Sequence, residues 1–101
     1  MSVNKIETTL KELLAKAVIE ASLTEDIDAK NIVIEIPKDV SHGDYSSNIA
    51  MQLTKLLKRN PREIAKSIVE KIDTVHSVVS KVEIAGPGFI NLFIQKSAVS
   101  N

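Results

Sequence analysis

The 101-residue chain contains no cysteine and no tryptophan, and it carries only three aromatic side chains, three glycines and three prolines. Without cysteine there is neither a disulfide framework nor a thiolate metal site. Net charge is also missing: thirteen basic and thirteen acidic residues cancel to zero. A neutral chain cannot gather phosphates through its overall field, so any nucleic-acid role must rest on local patches and specific contacts. No apolar run has the length needed to cross a bilayer. The opening MSVNKIETTL lacks the basic and apolar regions of a signal peptide. These features predict a cytoplasmic location without membrane attachment. At this length, 44% hydrophobic residues can build one modest core, hence one domain.

The apolar residues are periodic. Asn4 followed by Glu7 resembles a capping box, and Ile6, Leu10, Leu13, Leu14, Ala17, Val18 and Ala21 then recur at helical spacing. Lys5, Glu12, Lys16 and Glu20 fall largely opposite, so this first helix packs on a core. "NIVIEIP" alternates Ile32, Ile34 and Ile36 against Val33 and Glu35, predicting a strand that Pro37 ends. "KDVSHGDYSS" predicts a loop. Asp44 is a plausible N-cap for a second helix with Ile49, Ala50, Leu53, Leu56 and Leu57 on one side. "RNPREIA" is the clearest helix start. Asn60 sits at the N-cap, Pro61 at N1 where its missing N–H costs nothing, and Glu63 at N3. Ile64, Ala65, Ile68, Val69 and Ile72 supply the buried face of that third helix.

Two strands follow, from about Ser80 to Ala85 and from Phe89 to Gln95, separated by Gly86-Pro87-Gly88. So short a connection permits an antiparallel hairpin and forbids a parallel crossover. The predicted order is α-β-α-α-β-β. This is an α+β, two-layer sandwich of a small, mainly antiparallel sheet of three to four strands covered by three helices. Residues 1–95 form the domain. The tail from 96 to 101, KSAVSN, closes no element and is expected to begin a link to a further domain.

Several residues invite chemistry. His42, Asp44, Ser46 and Ser47 lie close together, yet the serines have no nucleophile elbow around them, and a small hydrolase built on His42 and Ser46 is the weakest reading. His42 and His76 are far apart and have no acidic partners at metal-ligand spacing. Lys55, Lys58, Arg59, Arg62 and Lys66 give the middle of the chain a basic bias, which fits either a solvated face or a phosphate-contact surface. In the last strand Ile90, Leu92 and Ile94 point one way and Phe89, Asn91 and Phe93 the other. If the aliphatic side is core, two rings and an amide occupy the second face. Either a helix or another domain covers them, or they form a base-reading pair in which a ring stacks and an amide bonds a base edge. A protein-docking surface is a further possibility for the same aromatic face.

"HGDYSSNIAMQLTK", "NPREIAKSIVEKI" and "VEIAGPGFINLFI", in this order and spacing, closely resemble the N-terminal additional domain of arginyl-tRNA synthetases. The resemblance runs from the first helix to about Ile94. It implies an α+β module that precedes a catalytic domain and touches the D-loop, at the outer corner of arginine tRNA. In that family an aromatic on the last strand stacks on a D-loop base and a nearby amide bonds it. Those roles fall on Phe89 and Asn91, with Phe93, Lys55, Lys58, Arg59 and Arg62 as weaker contacts. A further polar contact seen in some members just before the turn falls near Ala85 or Gly86, where no side chain can make it. The resemblance implies a class I arginine–tRNA ligase using ATP and magnesium as the parent enzyme. This chain has neither the HIGH-like nor the KMSKS-like signature of that chemistry. The expectation is a monomeric tRNA-binding fragment with no cofactor, partnered by tRNA and by the catalytic domain of the same protein.

Overall fold

The computed structural model describes residues 5–95. Helix α1 spans Lys5–Glu20, α2 Ile49–Leu57 and α3 Pro61–Glu70. Strands β1 (Tyr45–Ser47), β2 (Val79–Ala85) and β3 (Phe89–Ile94) form an antiparallel sheet in the order β1-β3-β2. The α+β architecture and the α-β-α-α-β-β order are as expected. The Asn4 cap and the 96–101 link lie outside the described residues.

α1 buries Leu10, Leu14, Ala15, Ala17 and Val18 and packs against α3 and a 3-10 turn at Ala29–Asn31. α3 begins as its sequence dictates: Arg62 N donates to Asn60 Oδ1 at 2.8 Å, with Pro61 in the first turn. Its Ile64, Ala65 and Ile68 are fully buried. They join α2's Ile49 and Leu53 and β3's Ile90, Leu92 and Ile94 in one core. β3 is the central strand, so the helices cover its aliphatic face.

Four local expectations fail. Residues 32–36 do not form a strand. Ile32 is buried, but only Glu35 pairs, exchanging both backbone hydrogen bonds with Ser46 at 2.8 Å, and Ile36 is 69% exposed. β1 is too short to template more, and Pro37 has no N–H to continue the ladder. The strand comes instead from inside the expected loop, where Tyr45, Ser46 and Ser47 pair with Leu92, Asn91 and Ile90. Asp44 does not cap α2, because its carboxylate accepts from Ile94 N at 2.8 Å and so continues the ladder past the end of β1. The N-cap position of α2 is Asn48, which makes no side-chain cap bond, and Ser47 Oγ accepts from Ile49 N instead. Leu56 is 61% exposed, because α2 turns only Ile49, Ala50 and Leu53 fully inward.

Candidate nucleic-acid interface

Cross-strand partners share a face of a sheet, so the register fixes what stands opposite the core. Asn91 pairs with Ser46 on one side and Glu83 on the other, Phe89 with Ala85, and Phe93 with Lys81. Glu35, bridged to Ser46, extends that row by one residue. The face therefore reads Glu35–Ser46–Asn91–Glu83 across the strands, with a ring two residues to either side of Asn91.

Phe89 and Asn91 line a single open cavity of about 560 Å³. Its floor is the sheet face with Ser46, and one end is the turn Ala85, Gly86 and Pro87. The opposite wall is the segment containing Glu35, Pro37, Lys38, Asp39 and His42. Asn91 is buried, not open: only 4% of its surface remains exposed, because both flanking strands and this wall enclose it. Phe89 is partly buried. The cavity thus sets an aromatic ring and an amide against a short loop, within the size range of small-ligand sites.

Phe93 is set apart from this cavity. The ammonium of Lys81 lies 4.4 Å from its ring centroid and 3.2 Å from a Glu83 carboxylate oxygen. The ring's open side is therefore taken by a cation held in place by an acid.

Two features hold the opposite wall. Asp39 accepts from both the backbone N and the hydroxyl of Ser41, at 2.9 and 2.8 Å, and His42 N donates to Asp39 O at 2.9 Å. The Ser41 backbone bond, then its hydroxyl bond, hold the Asp39 carboxyl below its ordinary value, with a smaller contribution from His42. The wall then meets the sheet at Gly43, buried with φ +97°, where Asp44 N donates to Leu92 O at 2.9 Å. A Cβ on Gly43 would stand 2.9 Å from that same carbonyl oxygen. Only glycine fits.

The cavity contains two carboxylates, Glu35 and Asp39, against one lysine and one histidine, so it offers no concentrated positive field. His42 and Ser46 do meet here, but among the described residues no hydrogen bond joins them, and nucleophilic catalysis requires a base bonded to its nucleophile. No group of His, Asp or Glu among the described residues could hold a metal ion. No described helix is long and apolar enough to cross a membrane.

The basic residues divide. Lys55, Lys58, Arg59 and Lys66 are exposed on or beside α2 and α3. Arg62 is exposed too, but its Nη1 donates to Gly86 O at 2.6 Å, tying α3 to the turn before Phe89. The sequence pattern placed Phe89 and Asn91 on one face. It missed the wall from Glu35 to His42, whose only local signal was the Asp39-x-Ser41 turn chemistry before Gly43.

Residues 4–94 match the family described as the arginyl tRNA synthetase N-terminal domain. An arginine–tRNA ligase of Staphylococcus epidermidis is 50% identical over 99 residues, covering 98% of this chain and 18% of the relative. One from Staphylococcus aureus is 48% identical over 92 residues, covering 91% of this chain and 16% of the relative. The crystal structure of the Plasmodium falciparum arginyl-tRNA synthetase superposes with a TM-score of 0.75 at 16% identity, covering 92% of this chain and 16% of that one. At that identity it supports the fold alone. The chain spans less than a fifth of each of these relatives.

Proposed function

The chain belongs to the arginyl-tRNA synthetase N-terminal domain family, and from that premise we propose that it is a tRNA-binding module. On this reading it recognises the D-loop at the outer corner of arginine tRNA. The observation that carries the proposal is that Phe89 and Asn91 line one cavity on the face opposite the core. A ring stacks on any base, whereas an amide, both donor and acceptor, chooses among base edges. Glu35 and Asp39 in the same cavity repel a phosphate but not a neutral base, which favours insertion of a base. Lys55, Lys58 and Arg59, solvent-exposed, are the candidates for backbone phosphate contacts. Phe93 is a secondary contact at most, since Lys81 already covers its ring.

The larger protein would be a cytoplasmic enzyme that joins arginine to tRNA using ATP and magnesium. The family is that of an N-terminal domain and the chain spans only 16–18% of its relatives' length, so on this reading that chemistry belongs to a catalytic domain of the larger protein. The module, acting as a monomer, would contribute orientation and discrimination and no reacting group.

The test is a binding titration of the chain against an arginine tRNA transcript and the same transcript with substituted D-loop bases. Phe89→Ala should weaken binding by about 1–3 kcal/mol whichever base is present. Asn91→Ala should weaken chiefly the preferred transcript and narrow the gap between the two. If both variants remain folded and bind every transcript as the parent does, the cavity is not the tRNA site.

A further inference from the structure

Phe89 opens β3 paired with Ala85, and beyond that pair the turn that delivers it has little of its own to hold it. Gly86 and Gly88 both adopt positive φ, +57° and +139°, and neither has a side chain to pack. Within the turn, Gly88 N donates to Ala85 O across 3.2 Å, a long bond for an amide. Phe89 is the first residue of β3, so its ring direction depends on how the turn is set.

The stiffer restraints come from α3. Arg62 Nη1 donates to Gly86 O at 2.6 Å, a short, charge-assisted bond between residues 24 apart in sequence. Gly88 lies so close to Pro61 that an added Cβ would be 3.1 Å from both the Pro61 Cβ and its carbonyl oxygen. Both anchor points are themselves fixed. Arg62 N is capped by Asn60 Oδ1 at 2.8 Å, and Ile64, Ala65 and Ile68 seat the helix in the core. Rigidity thus passes from the core through α3 and Arg62 to the turn and Phe89.

We propose that Arg62 is a positioning residue: its guanidinium fixes the Gly86–Gly88 turn so that the Phe89 ring is held ready at the cavity. This rests on the reading that Phe89 contacts tRNA. A fixed ring binds a base without first losing its own freedom, so removing the restraint weakens binding without removing a contact to the ligand. The competing role for an exposed arginine is a direct phosphate contact, and the two predict different measurements. A positioning residue acts through Phe89 and leaves the salt dependence alone. A phosphate contact acts independently of Phe89 and lowers the salt slope by about one.

The experiment compares the chain with Arg62→Ala, Phe89→Ala and the double variant. Amide chemical shifts and hydrogen exchange are followed at Gly86, Gly88 and Phe89 in the free chain, and affinity for an arginine tRNA transcript is measured across a salt series. We expect Arg62→Ala to unfold near the parent's midpoint while shifting those three amides and speeding exchange at Gly88. Affinity should fall roughly three- to tenfold, a part of what Phe89 stacking contributes. In the Phe89→Ala background the same substitution should cause no further loss, and the salt slope should not change. Losses that multiply, with a shallower slope, would make Arg62 a phosphate contact and overturn the proposal. Unchanged turn amides would overturn it as well. If Phe89→Ala alone leaves affinity intact, the site reading fails, while the amide measurements still decide whether Arg62 holds the turn.

Discussion

Substituting alanine at Gly43 and at Gly86 makes the same chemical change at two left-handed positions, and the structure predicts unequal outcomes. Gly86 has φ +57°, within the region alanine can enter, and the nearest atom to an added Cβ is the Phe89 Cδ1 at a comfortable 3.7 Å. Gly86→Ala should therefore cost about 1–2 kcal/mol, the ordinary left-handed penalty. Gly43 has φ +97°, and its added Cβ would lie 2.9 Å from Leu92 O and 3.3 Å from the Leu92 N and C atoms. Those are backbone atoms of the central strand and cannot swing aside. Relief requires moving the Gly43 segment off β3. The nearby Asp44 N–H to Leu92 O bond and the Asp44 carboxylate bond to Ile94 N depend on that approach. Losing one such bond adds about 1 kcal/mol, and a charged acceptor more, about 1.5–3 kcal/mol. With the left-handed penalty included, Gly43→Ala should thus cost about 3.5–6 kcal/mol in all, against a total of about 5–15 kcal/mol for a domain of this size. Urea unfolding followed by far-ultraviolet circular dichroism suits a chain without tryptophan, provided the slope stays constant between variants. Equal costs at the two glycines would refute the close approach at Gly43, and with it the fixed position of the cavity wall beyond His42.

Helix α3 gives a milder test. Asn60→Ala should cost about 1 kcal/mol and Asn60→Gly only a few tenths of that; equal losses by denaturant unfolding would mean that Asn60 does not cap the helix. Binding to an arginine tRNA transcript should depend only moderately on salt, with a log–log slope matching roughly two to four phosphate contacts, because the net charge is zero and the exposed cations are scattered. A slope as steep as that of a strongly basic binder would show that an undetected cationic surface dominates.

The legible parts of this fold are those whose causes are local. α3 could be read from Asn60, Pro61 and Glu63, because a cap, a first-turn proline and an acidic third position are all within four residues. The β2–β3 hairpin could be read because three turn residues leave no other connection. β1 could not. Tyr45, Ser46 and Ser47 lack the apolar alternation of a strand, and they become one because β3, more than forty residues later, offers them an unpaired edge. Residues 32–36 have the alternation but find a partner only at Glu35. Asp44 shows the same limit in one side chain, since a short acid before a helix can cap it or can accept an N–H from a distant strand. The site divides likewise. Period two on β3 puts Phe89 and Asn91 together, but the wall facing them exists only after Ser46 pairs with both Glu35 and Asn91.

The charge around that wall bears on how such a module would work. A cavity flanked by Glu35 and Asp39, on a chain with no net charge, is poorly suited to holding nucleic acid by its backbone. For a free-standing binder this would be a defect. For a segment that matches only 16–18% of its relatives' length, it need not be. A module joined to a larger tRNA-binding chain meets its site as an intramolecular event, at an effective concentration in the millimolar range for short linkers. Modest intrinsic affinity then suffices. What such a module adds is a difference between tRNAs, and discrimination is a difference of affinities that sequence-independent attraction only dilutes. On the proposed reading, acids beside the ring and the amide lower the affinity for any phosphate that strays into the cavity and leave a neutral base unopposed. The near-absence of aromatics has the same sense. Of the three rings in the chain, Tyr45 packs against the core and Phe93 lies beneath Lys81, which leaves Phe89 at the cavity to stack, on the proposed reading held there by α3 through Arg62.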